Sequence, residues 1–161
     1  MPQSLFYDDC SSLNKWTRSI YAQRALPATG IPFDPKSQWR VDKGAFKCSE
    51  NYFVAADTLK SVSFFVPGNT RPQLTFYAEW NLGNNGLTGN YDYLVVSVST
   101  SKSWERLHDC RDLSQWKQRS FTLPKARAGG ENYSLQFILH THALNSVAGW
   151  CRLDRISVFL P

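Results

Sequence analysis

Tryptophan side chains set among polar residues are the feature of this sequence best suited to binding chemistry. The chain has 161 residues and six tryptophans, more than the core of one small domain usually needs. An exposed indole stacks on the apolar C–H face of a sugar ring, while neighbouring amides and charges bond the hydroxyls of that sugar. The candidate ligand-binding residues are Trp39, Arg40, Trp80, Trp104 and Trp116.

Trp80 is the leading candidate because it ends a predicted strand and opens an Asn- and Gly-rich loop, residues 81–90. Loops carried on a rigid scaffold are where binding sites concentrate. The alternative for each tryptophan is that it closes an end of the fold or fills a loop, which requires no ligand.

Three carboxylates form a candidate metal site. Asp8 and Asp9 end the first predicted strand, and Asp154 comes just before the last one. First and last strands are commonly neighbours in antiparallel folds, so these side chains are expected to converge. Carboxylate oxygens suit Ca²⁺, which also takes backbone carbonyls as ligands. The alternative is that the aspartates cap turns.

His140 and His142 stand on one face of a predicted strand, at a spacing that can hold a metal ion. A metal site would need a third ligand such as His108 or a carboxylate, and two exposed histidines at a strand end are the alternative. Motifs for a nucleophile elbow, a phosphate-binding loop or a zinc protease are absent. We therefore predict that the protein is not an enzyme. A small glycan-active enzyme that uses His140 or His142 is the catalytic alternative.

Four widely spaced cysteines without a C-x-x-C pair lack zinc-ligand spacing. Their even number predicts two disulfides and an extracellular or cell-surface location, and three connectivities stay open. The candidate disulfide cysteines are Cys10, Cys48, Cys110 and Cys151. Because no basic and apolar leader pattern opens the sequence, we expect residues 1–161 to be a single β-sandwich domain excised from a larger extracellular protein.

The charge balance favours anionic partners. Lys and Arg number 18 against 13 Asp and Glu, which gives a net charge of +5 and suits ligands such as sulfated glycans. A solvated, mildly basic surface is the alternative. No nucleic-acid-binding motif accompanies these cations, so we expect no nucleic acid partner. No apolar run approaches the roughly 20 residues that span a bilayer.

The elements that must position these residues are β-strands. Apolar residues recur with period two or in short runs, and almost nowhere with helical spacing. The predicted strands are residues 4–7, 38–41, 51–55, 61–66, 73–80, 93–99, 104–107, 118–123, 134–142 and 155–160. Residues 25–35, with three prolines, form a predicted loop. Many short strands without crossover helices predict an all-β fold, a two-sheet antiparallel sandwich or jelly roll.

Several segments resemble a group of jelly-roll modules. Residues 5–10 followed by Trp16 are similar to the acidic pair, spacer and aromatic residue that open MAM-like domains. The central strands and tryptophan hairpin of that group are similar to residues 74–80, 93–100 and 103–107. Asp92 stands where that group has an acidic residue before the second of these strands. Residues 153–158 resemble its terminal strand, with Arg155 replacing the second acid.

The resemblance is to MAM domains, reelin subrepeats, the C-terminal modules of immune-inhibitor-A-type metalloproteases and some carbohydrate-binding modules. It implies a galactose-binding or concanavalin-like sandwich without catalysis, and structural calcium held by Asp8 or Asp9 with Asp154. The leading hypothesis is a lectin-like module whose partner is a glycan or cell-surface glycoprotein. A protein–protein adhesion or receptor-binding module is the alternative.

Overall fold

The computed structural model describes residues 2–23, 36–49, 54–82, 84–85, 90–111, 113–142 and 149–161. The first seven strands are β1 (Gln3–Asp8), β2 (Trp16–Gln23), β3 (Arg40–Asp42), β4 (Ala45–Ser49), β5 (Val54–Ser61), β6 (Phe64–Val66) and β7 (Gln73–Asn81). The other strands are β8 (Asn84–Asn85), β9 (Asn90–Tyr91), β10 (Tyr93–Ser99), β11 (Trp104–Cys110), β12 (Leu113–Thr122), β13 (Glu131–Thr141) and β14 (Trp150–Leu160). The described residues include no helix that is long and apolar enough to cross a membrane.

Two antiparallel sheets make up the fold. Sheet A has the strand order β12-β7-β14-β4-β3, with β1 also paired to β14, and sheet B has the order β11-β10-β13-β5-β2, with β6 also paired to β13. Strands β8 and β9 form a separate two-stranded ribbon. The predicted all-β, two-sheet antiparallel sandwich is confirmed, as is the pairing of the first and last strands.

Each sheet is built around one central strand of 11 residues, β13 or β14. One side of β14 pairs with β7, while its other side pairs first with β4 and then with β1. Strand β13 is arranged in the same way, with β10 on one side and β5 and β6 on the other. A bulge at Arg155, whose φ is +48°, separates the two parts of β14. A bulge of this kind re-aims side chains without ending the strand.

The core lies between the inner faces of the two sheets and is rich in aromatic rings. In β7 the buried residues alternate as Leu74, Phe76, Ala78 and Trp80. The ring of Phe137 in β13 meets Phe76 edge-on, with 5.3 Å between ring centroids. Edge-to-face aromatic pairs add to the free energy gained by burying apolar area, so this contact helps to join the two sheets.

A buried carboxylate ties the segment before β3 to sheet B. Asp57 in β5 is fully buried and accepts hydrogen bonds from the Ser37 hydroxyl and the Gln38 backbone N–H, both at 2.6 Å. The Trp39 indole N–H donates to the Asp57 backbone oxygen at 3.0 Å. A buried carboxylate is tolerated only when it is bonded in this way, so residues 36–39 are held firmly against β5.

Several strand predictions need correction. Strands β2, β4, β8 and β9 were not predicted, and β5 spans residues 56–60, which the sequence left unassigned between two predicted strands. The inner face of β5 carries Asp57 and Ser61 beside Ala55 and Leu59, which hides the period-two pattern. The predicted loop 25–35 lies outside the described residues.

The structure contains no disulfide where the sequence predicted two, since all four cysteines are described as buried free thiols. Cys48 and Cys151 lie opposite each other on β4 and β14. Burial raises the pKa of the Cys10 and Cys110 thiols to about 12, and it raises the pKa of Cys48 and Cys151 as well. The thiols are therefore neutral and poorly reactive in the folded state.

Replacing Phe137 with Ala should lower the free energy of unfolding by about 3–5 kcal/mol, because it removes a fully buried ring that contacts both sheets. Denaturant unfolding followed by tryptophan fluorescence measures this change. Leu113→Ala is the control, because Leu113 is exposed and should change stability by less than about 0.5 kcal/mol. Equal effects of the two substitutions would contradict the described core.

Candidate functional site

Four side chains form a row across the outer face of sheet B. Tyr21 in β2 is the cross-strand partner of Ala56 in β5, Ala56 is the partner of His140 in β13, and His140 is the partner of Tyr93 in β10. Partners of this kind stand on the same face of a sheet about 5 Å apart. We call Tyr21, Ala56, His140 and Tyr93 the aromatic row.

A cavity of about 310 Å³ opens at the aromatic row. Its lining consists of the aromatic row with Ala55, Thr141 and His142. Ala56 lies between the rings of Tyr21 and His140. Because its side chain is only a methyl group, it leaves open the space that a larger side chain would fill. Tyr21 is 67% exposed, so one wall of the cavity is an aromatic side chain that a ligand can reach.

His140 forms a rigid, neutral wall of the same cavity. Its imidazole stacks on the Tyr93 ring, with 4.4 Å between centroids and 13° between planes. Burial lowers the pKa of His140, and the positive charge of Arg106 lowers it further. The imidazole is therefore uncharged at neutral pH and offers one N–H donor and one nitrogen acceptor.

A buried aspartate holds the end of this wall. The Asp92 carboxylate accepts a hydrogen bond of 2.8 Å from the backbone N–H of His142, and its Oδ1 lies 3.8 Å from the His142 Nδ1. Gly149 makes room for this carboxylate, because a Cβ at that position would lie 2.4 Å from Asp92 Oδ2. Asp92 thus positions the chain just past β13, where His142 reaches the cavity.

Away from the cavity, the outer face of sheet B carries apolar and polar side chains, with Ile138 between its cross-strand partners Thr58 and Val95. Thr58 and Gln136 stand on this face, and the Ser97 hydroxyl donates to the Gln136 side-chain oxygen at 3.3 Å. Trp104 lies at the far end, 41% exposed, with the Lys60 ammonium 5.4 Å from its ring centroid. Because Ser99, the cross-strand partner of Trp104, is six positions along β10 from Tyr93, the face is about 20 Å long.

Two of the predicted ligand-binding tryptophans are not at the surface. Trp39 is fully buried and Trp80 is 4% exposed, and their indole N–H groups donate to backbone oxygens of Asp57 and Arg111. The expectation that these rings are exposed is therefore wrong. Trp80 is an even number of residues from Leu74 and Phe76 in β7. Because side chains alternate between the two faces of a strand, this spacing alone predicts that the Trp80 ring faces inward.

Two of the three remaining predicted ligand-binding residues lie on the side of the sandwich opposite the cavity. Arg40 and Trp116 are on the outer face of sheet A, where Trp116 stacks on Tyr77 with 6.1 Å between centroids. Trp104 alone of the predicted tryptophans shares a face with the cavity. The structure therefore does not bring the five predicted ligand-binding residues into one site.

The predicted calcium ligands already have protein partners in the structure. Asp8 accepts from the Cys10 N–H at 2.7 Å, with the Lys15 ammonium 4.0 Å away, and Asp9 caps Ser11. Asp154 bonds the backbone and guanidinium of Arg155 at 2.7 and 3.3 Å. In the described ranges no group of three or more His, Cys, Asp or Glu is arranged to hold a metal. Calcium binding stays a prediction.

A second cavity, of about 240 Å³, lies at the end of the sandwich around Glu131. The Glu131 carboxylate accepts hydrogen bonds from the backbone N–H groups of Ser101 and Arg127, at 2.7 and 3.0 Å. Hydrogen bonds from Ser101 and Arg127 lower the pKa of Glu131 to about 2. This carboxylate serves to join two loops, so the second cavity is the weaker candidate for a ligand site.

Sequence analysis did not identify Tyr21, Ala56 and Tyr93 as candidate binding residues. His140 and His142 were singled out for metal binding or catalysis, and the structure places them beside an aromatic cavity. His108 does not join them, since it lies on β11 against Phe121, with 5.6 Å between ring centroids. Pairing of β2, β5, β10 and β13 brings the row together, and no local pattern specifies that pairing.

Comparison with known proteins identifies the fold. No family model and no curated protein matches the chain. Among solved structures, TmCBM61 in complex with β-1,4-galactotriose has a TM-score of 0.55 and 13% identity, and the match covers 94% of this chain and 92% of that one. A variant of the family 29 carbohydrate-binding module CBM29-2 has a TM-score of 0.56 and 11% identity, with coverage of 97% and 89%.

The fold is the β-sandwich of these modules. The K3 cleaved adhesin domain of Lys-gingipain from Porphyromonas gingivalis W83 has a similar structure, with a TM-score of 0.54, 12% identity and coverage of 99% of both chains. The predicted jelly roll is thus confirmed at the level of architecture. The finer resemblance to MAM, reelin and immune-inhibitor-A modules stays a prediction.

The pKa of His140, measured by NMR titration, should lie below its ordinary value of 6.5, because burial disfavours the charged imidazole. Tyr93→Ala should raise this pKa, since it removes the ring that covers the imidazole. A pKa of His140 at or above 6.5 in the unmodified protein would contradict the described cavity wall.

Adding Ca²⁺ or a chelator should leave the Tm unchanged, because Lys15 and Arg155 already pair with Asp8 and Asp154, and Asp9 already accepts hydrogen bonds from Ser11. A ligand that binds only the folded state raises the Tm, so differential scanning fluorimetry detects the ion directly. A rise with Ca²⁺ that Asp154→Asn abolishes would establish the predicted calcium site instead.

Proposed function

We propose that this protein is a non-catalytic, extracellular carbohydrate-binding module that holds a neutral saccharide on the outer face of sheet B. The observation that carries this proposal is the aromatic row, in which exposed Tyr21 and the stacked Tyr93–His140 pair flank the cavity above Ala56. A sugar ring presents apolar C–H groups to such rings.

The polar groups around the cavity match the hydroxyls of a neutral sugar. The neutral imidazole of His140 can donate and accept, and Thr58 and Gln136 offer further hydrogen-bonding groups along the same face. Trp104 at the far end supplies a second aromatic surface about 20 Å away. A face of this length accommodates an oligosaccharide, with the cavity as its anchoring subsite.

The solved structures support the same assignment. TmCBM61 was solved with β-1,4-galactotriose, and CBM29-2 is a carbohydrate-binding module. β-1,4-Galactotriose and other neutral oligosaccharides are therefore the first ligands to test.

The cavity is poorly equipped for glycoside hydrolysis. That reaction generally uses a pair of carboxylates on either side of the scissile bond. The described residues that line the cavity include no Asp or Glu, and the nearby Asp92 is buried and bonded to the His142 backbone. We therefore assign binding without turnover to this site.

Tyr21→Ala should weaken saccharide binding by about fivefold or more, because an exposed aromatic contact contributes of the order of 1 kcal/mol or more. Ala56→Phe should abolish binding by filling the cavity. The measurements are a glycan array, including sulfated and uronic-acid-rich members, followed by isothermal titration calorimetry with the selected oligosaccharide.

Tyr7→Ala is the matched control, because Tyr7 is a half-exposed tyrosine on β1 in the other sheet. It should leave the affinity unchanged. An array on which nothing binds, or equal losses for Tyr21→Ala and Tyr7→Ala, would contradict the proposal. A blank array would favour the adhesion alternative, in which the ligand is a protein.

A further inference from the structure

Three cations stand side by side across the outer face of sheet A. Arg40 in β3 is the cross-strand partner of Lys47 in β4, and Lys47 is the partner of Arg152 in β14. Neighbouring strands are about 4.8 Å apart, so these three positions span about 10 Å in a straight line. We call Arg40, Lys47 and Arg152 the cation row.

Like charges placed directly opposite each other destabilise a sheet, and the cation row has two such pairs in succession. Nearby carboxylates compensate only part of this repulsion between the cations. Lys47 lies 3.6 Å from Asp42, and Arg152 lies 3.6 Å from Glu79. Arg40 bonds only the neutral Gln38 backbone oxygen and Ser49 hydroxyl within the described residues, both at 3.3 Å. Three cations therefore share two carboxylates.

Aromatic rings flank the cation row on the same face. The Lys47 ammonium lies 5.7 Å from the Trp150 ring centroid, and the Arg152 guanidinium lies 5.2 Å from that of Trp116. These contacts keep the long side chains close to the sheet. The row is thus an ordered set of positive charges beside apolar rings, with about 31% of the Lys47 and Arg152 side chains exposed.

We propose that the cation row binds an anionic polysaccharide, at a site separate from the aromatic row on sheet B. Sulfate or carboxylate groups of the polymer meet Arg40, Lys47 and Arg152, and Trp150 and Trp116 contact the sugar rings. The carboxylates of Asp42 and Glu79 accept hydrogen bonds from sugar hydroxyls. A DNA backbone has no such donors, so the chemistry favours a polysaccharide over DNA.

The test compares four polymers with the whole chain by biolayer interferometry: dextran sulfate, polygalacturonate, neutral dextran and a single-stranded oligothymidine. We expect dextran sulfate, polygalacturonate or both to bind the cation row, and any binding of neutral dextran to be unaffected by substitutions in that row. Binding should weaken as salt rises, because added ions screen surface charges. The first two polymers distinguish a sulfate from a carboxylate ligand.

Arg40→Gln with Lys47→Gln should weaken anionic binding by about tenfold or more, as loss of paired charge contacts does. The matched control, Arg71→Gln with Lys102→Gln, removes the same charge from exposed positions far from the cation row and should change the affinity by less than about twofold. Arg40→Gln alone, on an exposed edge strand, provides a milder variant, and the Tm of each variant checks its folding.

The proposal is overturned if neither anionic polysaccharide binds, if both double variants lose affinity equally, or if oligothymidine binds as tightly through the same residues. Failure here is distinguishable from failure of the sheet B site. Tyr21→Ala should leave dextran sulfate and polygalacturonate binding unchanged, and the Arg40→Gln, Lys47→Gln variant should leave neutral saccharide binding unchanged. A variant that impairs both kinds of binding would contradict the separation of the two sites.

Discussion

The register of the two central strands, β13 and β14, is the constraint on which both outer faces of the sandwich depend. Each strand pairs along its length on one side and with two shorter strands in succession on the other. Because side chains alternate between faces, a slip of one residue would move every inward side chain outward. Burial of Phe137, Leu139, Leu153 and Val158 fixes this register, and the same register places His140 and Arg152 on the outside.

The two outer faces use one geometry for different chemistry. On sheet B a row of aromatic side chains is interrupted by Ala56, which creates a cavity with neutral walls. On sheet A the corresponding arrangement is a row of cations that is only partly neutralised. A sandwich buries its inner faces to be stable, and both outer faces are then available for recognition.

Sequence patterns predicted the strands that carry much of the core, and they missed β2, β4 and the middle of β5. The alternation in β7 is clear because Leu74, Phe76 and Ala78 all face inward. Strand β2 lies at an edge and buries little besides Trp16, so its pattern is weak. The polar neighbours of Trp80 in the sequence suggested an exposed ring, and only the period-two pattern along β7 shows that it points inward. The aromatic row depends on pairing between strands far apart in sequence, which no local pattern contains.

The most direct test of this account is an NMR titration of the isotope-labelled protein with the neutral oligosaccharide selected on the glycan array. Chemical shifts report which residues contact the ligand, independently of any substitution. The account predicts that the largest changes occur at Tyr21, Ala56, Tyr93 and His140, and that they extend along sheet B towards Trp104. Changes concentrated at Trp116, Trp150 and Arg152 on sheet A instead would contradict the assignment of the neutral saccharide site.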